Sequence, residues 1–168
     1  VSDEVFDVYK SQFDYENSPV NAKTTTIENF QDGYTAQKFE MPTTYESNEK
    51  LFGYIIYSNK FNDKYNPVII HPTAGGIIQD EDSSLPQNLL ITHKHLIDEG
   101  YAVIHPIYNN TFSRVKNYDT FWPDESETYK NTIIKIGKDF KRSIDYIESR
   151  NDFKFENLFY YGYSWGST

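Results

Sequence analysis

Gly162-Tyr163-Ser164-Trp165-Gly166 sets a serine between two glycines, each two residues away, directly after the apolar run Leu158-Phe159-Tyr160-Tyr161. This spacing suits a nucleophile. A serine on a sharp strand-to-helix turn adopts a strained backbone, and Gly162 and Gly166 let neighbouring backbone approach closely enough for the turn to form. The Ser164 hydroxyl then projects above the end of the sheet. The Trp165 amide N–H points into the same space, near a helix N-terminus, where negative charge is favoured. The chemistry implied is attack on a carbonyl, with Trp165 as one oxyanion donor. The second donor is expected from the small-residue loop His71-Pro72-Thr73-Ala74-Gly75-Gly76, as the backbone N–H of Ala74 or, alternatively, of Thr73. A plainer reading also fits: a serine kept in a tight turn for its geometry, and a flexible connection upstream.

A serine needs a histidine within hydrogen-bond reach, itself oriented by a carboxylate. His71, His93, His95 and His105 all precede Ser164, whereas an elbow of this type is followed along the chain by an acid and then the histidine. None of the four is assigned as the base. His93 and His95 leave a helix on different sides and make a poor metal pair. His71 and His105 end adjacent strands, where they either line the site or serve as satisfied structural groups. The acidic run Gln79-Asp80-Glu81-Asp82-Ser83-Ser84 lacks the alternation of a calcium loop and reads as a solvated loop. No metal or organic cofactor is expected.

The elements that must position these residues follow from periodicity. Residues 1–34 read as an irregular or partly helical N-terminal extension laid on the domain. Tyr34 to Met41 and Leu51 to Tyr57, separated by a turn-rich stretch, predict an antiparallel hairpin. Val68-Ile69-Ile70-His71 and Tyr101-Ala102-Val103-Ile104-His105, the second closed by Pro106, read as short strands buried on both faces. Between them Leu89, Leu90, His93, Leu96 and Ile97 recur at helical spacing over Pro86 to Glu99, with Gly100 as the left-handed cap. A second helix begins after Trp122-Pro123 and buries Ile133, Ile136, Phe140, Ile144 and Ile147. A last buried strand leads into the elbow. The order predicts an α/β fold: three layers and a mostly parallel sheet with an antiparallel N-terminal hairpin.

The 168 residues suit one domain, and 38% hydrophobic and 17% aromatic residues supply a core, so disorder of the whole chain is excluded. With 16 Lys plus Arg against 25 Asp plus Glu and no basic cluster, the formal charge of -9 argues against a nucleic acid or an anionic membrane as partner. The absence of cysteine excludes disulfides, thiolate metal sites and a cysteine nucleophile. No apolar run reaches the roughly 18 residues that span a bilayer. A soluble chain is expected, its compartment unassigned beyond compatibility with the cytoplasm. It begins at Val1 without a basic-then-apolar leader and stops just after the elbow, so the expectation is a piece of a longer protein.

Taken together, the chain resembles the N-terminal half of an α/β-hydrolase domain of the dienelactone hydrolase and prolyl oligopeptidase-like kind, similar to hydrolase domains fused to bacterial serine/threonine kinases. The likeness is carried by Phe13-Asp14-Tyr15 with Pro19-Val20-Asn21-Ala22, by Val68 to Gly76, by His105-Pro106-Ile107-Tyr108, and by Trp122-Pro123-Asp124-Glu125. It continues through Asp139 with Arg142 to Tyr146 and ends at Tyr160 to Gly166, the most specific part. It implies Ser164 as nucleophile, Trp165 as one oxyanion donor and the Thr73-Ala74 region as the other. It also implies a triad acid and histidine beyond Thr168, and an upstream kinase in the parent protein. The loop departs from the family in having Thr73 where a glycine would follow the proline. On this reading, residues 35–168 form the first half of the domain. The parent hydrolyses an ester, thioester or small amide, a small-molecule acyl substrate, through an acyl-enzyme on Ser164, and the 168 residues alone are inactive. The competing expectation is a non-catalytic interaction module on the same fold within a larger signalling protein.

Overall fold

The computed structural model describes residues 1–61, 63–79, 82–114 and 124–167. The Trp122-Pro123 helix start, Asp80 and Glu81 of the acidic loop, and Thr168 lie outside these. Six strands form one sheet: β1 (Lys23–Thr26), β2 (Tyr34–Pro42), β3 (Lys50–Ser58), β4 (Asn66–His71), β5 (Tyr101–Ile107) and β6 (Phe159–Gly162), in the order β1-β2-β3-β5-β4-β6. β1, β2, β3 and β5 pair antiparallel in succession, and β4 pairs parallel with β5 and β6. The helices are α1 (Asp3–Ser11), α2 (Gly75–Ile78), α3 (Leu85–Ile97) and α4 (Glu127–Glu148).

The central strands are covered on both faces, as their continuous apolar runs predict. Residues alternate between two cores: Tyr54, Ile56, Val68, Ile70 and Val103 meet Leu89, Leu90 and Ile97 of α3. Ile55, Ile69, Ala102 and Ile104 meet Tyr146 and Ile147 of α4. This period of two within an unbroken hydrophobic run marks strands sandwiched between helical layers. α3 ends as expected, with Gly100 at φ +90° just beyond it.

Four details differ from the sequence reading. Residues 1–34 contain β1, whose Lys23 to Thr26 pair with Glu40 to Gln37; four exposed polar residues carry no alternating pattern. β5 runs through Pro106 to Ile107. Beyond Ile104 it pairs on the β3 side only, so the missing N–H removes at most one ladder bond. α4 buries Ile136 and Ile147, while Ile133, Phe140 and Ile144 are only partly covered. Its innermost line is polar, with Asp139, Arg142 and Ser143. Finally, β6 is not buried: it lies at the sheet edge with Phe159, Tyr160 and Tyr161 47%, 51% and 46% exposed.

The polar line of α4 is tied to specific partners, although Asp139 Oδ1 and Arg142 Nε are buried without one among the described residues. Arg142 donates to the Ser18 and Pro19 carbonyls at 2.9 and 2.7 Å, and the Tyr15 hydroxyl donates to Asp145 at 2.8 Å, tying residues 15–19 to the helix. Arg114 bridges Asp139 at 2.5 Å and Glu49 at 2.6 Å, while the Asn109 N–H donates to Asp139 at 2.7 Å. Burial pushes the Asp139 carboxyl up to about 6, against the pull of Arg114 and these hydrogen bonds. Burial also works against the Arg114 charge, but Asp139, Tyr45 and Glu49 outweigh it and raise its pKa.

Candidate active site

β4 and β6 run in register with His71 opposite Gly162, so the two segments singled out in the sequence leave the sheet side by side. From β6 the chain turns through Tyr163 into a 3-10 turn, Ser164–Ser167. Ser164 is exposed and sits at φ +56°, a left-handed conformation that costs an L-residue about 1–2 kcal/mol. Three bonds brace the turn. The Gly166 N–H donates to the Tyr163 carbonyl at 3.1 Å, Ser167 Oγ donates to the Ser164 carbonyl at 2.7 Å, and the Tyr160 hydroxyl donates to the Gly166 carbonyl.

Neither glycine has room for a side chain. A Cβ on Gly162 would overlap the Gly166 carbonyl. One on Gly166 would stand 2.8 Å from the His71 carbonyl oxygen and 2.9 Å from that of Pro72. The second contact is what brings the turn against the start of the 72–76 loop. There the Gly76 N–H donates to the Thr73 carbonyl at 2.9 Å and the Ile77 N–H to that of Ala74 at 3.0 Å, while the Gly75 N–H reaches Thr73 Oγ1 at 3.2 Å. Among the described residues, neither the Thr73 nor the Ala74 N–H, the two alternatives for the second donor, donates a hydrogen bond.

The histidines occupy supporting positions. His71 stacks on Tyr108 with centroids 4.6 Å apart and lies 5.2 Å from the Trp165 ring, with Nδ1 3.2 Å from the Pro72 carbonyl. α3 breaks at His93 (φ -110°, ψ 16°), whose buried ring meets the edge of Tyr161 at 5.3 Å. His105 packs edge-on to Phe112 at 5.5 Å. Burial lowers the pKa of all three, opposed at His71 by the Pro72 carbonyl and reinforced at His93 by His95; complete burial takes His105 down to about 3. They are neutral at pH 7. His95 is exposed, and no described histidine hydrogen-bonds to Ser164. Among the described residues, no three His, Cys, Asp or Glu side chains converge as a metal site requires.

A cleft of about 260 Å³ lies beside the turn, with Thr73, His93, His105, Phe112, Tyr161 and Tyr163 in its lining. A larger cleft of about 750 Å³ lies away from it, where residues 15–20 meet α4, and its Arg142 and Asp145 pair with each other at 3.3 Å. The smaller cleft is the one that adjoins the Ser164 turn, through Tyr163. Sequence reasoning overlooked Tyr160 and Phe112 at the site. Tyr160 had a signal, standing two residues before Gly162 on the strand that feeds the turn, whereas nothing local marks Phe112.

The chain superposes on solved esterases along nearly its whole length. Acetyl xylan esterase from Paenibacillus sp. R4 superposes with a TM-score of 0.67 at 12% identity, covering 95% of this chain and 50% of that one. The chain has the α/β-hydrolase fold. Acetyl xylan esterase 1 from Thermoanaerobacterium sp. JW/SL YS485 gives 0.68 at 10% identity (97% and 51%), and glucuronoyl esterase from Solibacter usitatus 0.60 at 8% identity (98% and 52%). The chain therefore spans about half the length of the structures it matches. No family model and no curated protein matches it. Among the described residues, no helix is long and apolar enough to cross a membrane.

Proposed function

We propose that the protein carrying this chain is a serine-dependent acyl hydrolase acting on an ester, thioester or small amide. The observation that carries the proposal is Ser164 at φ +56°, exposed on a turn whose two flanking glycines admit no β-carbon. Ser164 Oγ attacks the substrate carbonyl while its proton passes to a histidine supplied from beyond this chain. The carbonyl oxygen becomes an oxyanion held by the N–H of Trp165 and that of Ala74, or of Thr73. Collapse expels the alcohol, thiol or amine, which takes the proton, and water then releases the acid from the acyl-enzyme. The dienelactone hydrolase and prolyl oligopeptidase-like kinship and the fusion to an upstream kinase belong to the same proposal.

The test uses the full-length protein, Ser164→Ala and the 168 residues alone, each treated with a fluorophosphonate probe. Labelling of the full-length protein is expected, lost in Ser164→Ala and absent from the 168 residues, with ester turnover falling at least about 10⁴-fold in the variant. A folded but unlabelled full-length protein would overturn the proposal. The better account would then be a non-catalytic interaction module on the same fold.

A further inference from the structure

Three departures from ordinary geometry meet at the 260 Å³ cleft. The first is Phe112. Five described non-glycine residues have positive φ; three are asparagines, which tolerate that region, leaving Ser164 and Phe112 at +50°. Phe112 is buried, and its N–H donates to the Gly76 carbonyl at 2.7 Å, so the loop after β5 grips the loop after β4. Packing against His105 and this bond hold a backbone that phenylalanine would otherwise leave. The second departure is the break in α3, which turns His93 inward to Tyr161. The third is His105, an imidazole buried without a partner at Nδ1.

The lining of this cleft includes Thr73 of the proposed oxyanion loop and Tyr163, the neighbour of Ser164. The buried Phe112 ring forms part of its wall. None of its described lining residues carries a formal charge, and burial keeps His71, His93 and His105 neutral. A carboxylate placed there would lose hydration without gaining a cationic partner.

We infer that this cleft is the acyl pocket of the enzyme, that it takes a short uncharged acyl group, and that Phe112 sets the length accepted. The inference rests on the Ser164 reading. With the acyl carbon bonded to Ser164 Oγ and its oxygen toward the 73–74 amides, the acyl substituent is directed into the space that Thr73 and Tyr163 flank. Phe112 closes that space at its buried end. A methylene that does not fit is worth about 10- to 200-fold in discrimination.

The experiment measures kcat/KM of the full-length protein for p-nitrophenyl acetate, butyrate, octanoate and hemisuccinate. Acetate is expected to exceed octanoate at least about 100-fold, with hemisuccinate barely turned over. Phe112→Ala should raise the octanoate-to-acetate ratio at least about 10-fold. Because that change removes a buried ring, Thr92→Phe provides a second arm from the exposed rim of the cleft, expected to lower butyrate relative to acetate. Equal turnover of acetate and octanoate by the unaltered protein, or both variants scaling every ester by one factor, overturns the pocket assignment while fluorophosphonate labelling of Ser164 still stands. No labelling and no turnover of any ester removes the Ser164 reading and the pocket with it.

Discussion

Ser164 holds a left-handed backbone that its own β-carbon opposes, while Gly162 and Gly166 clear every other obstacle from the turn. The strain is therefore local to one residue and open to measurement. Ser164→Gly removes the β-carbon and the strain, whereas Ser164→Ala keeps both. Despite the added chain entropy of glycine, Ser164→Gly is expected to be the more stable of the two by roughly 0.5–1 kcal/mol in chemical denaturation. The reverse order would show that the turn is unstrained. The tight turn was legible in five residues, because glycines two positions either side of a serine after a strand mark a close backbone approach. Phe112 was not legible. Its positive φ is imposed by a bond to Gly76, which lies 36 residues earlier in the numbering (112 minus 76), and no local residue choice announces it.

At the scale of elements, β3, β4, β5 and α3 could be read from periodicity, since each buries apolar side chains at the spacing of its own geometry. β1 could not, having no buried residue to impose a pattern. α4 was legible as a helix, and Ile136 and Ile147 are buried as read, but its depth was misjudged elsewhere, because Asp139, Arg142 and Ser143 are buried too and hold neighbours by hydrogen bonds. The Arg114–Asp139 bridge, with Glu49 and Asn109 beside it, joins the β2–β3 loop and the loop after β5 to α4. Arg114→Met leaves a buried carboxylate unpaired and is expected to cost about 3–5 kcal/mol in chemical denaturation. The double change Arg114→Met with Asp139→Leu should recover much of that loss. Equal losses in the single and double variants would show that the neighbours, not the charge pair, carry the effect.

Across the whole molecule, protonation of the buried histidines opposes folding in acid. In the unfolded chain His105 takes a proton near pH 6.5; in the fold it stays neutral down to about 3. Between those values the unfolded state binds the extra proton, so stability falls as pH drops through 6.5, by up to about 1.4 kcal/mol per unit, and levels off below 3. His71 and His93 act in the same direction. Asp139, raised to about 6, acts in the opposite one, gaining stability as pH falls from 6 towards its unfolded value. His105→Leu is expected to flatten the slope between pH 6.5 and 4 in urea titrations; an unchanged slope would assign it to other groups.

The pairing of β6 with β4 also orders events in time. Val68 meets Phe159 across 91 positions (159 minus 68), and Tyr65 is bracketed by Asp152 and Lys154 at the same end of the strand. Closing so long a segment costs entropy before any ladder bond offsets it, so such non-local contacts form late. Pulsed hydrogen exchange during refolding should show protection at Tyr160 and Tyr161 arriving after that of β3 and β5. The turn that carries Ser164 leaves the end of β6, so it is set only once β6 docks on β4, and a refolding intermediate without that pairing carries no poised serine.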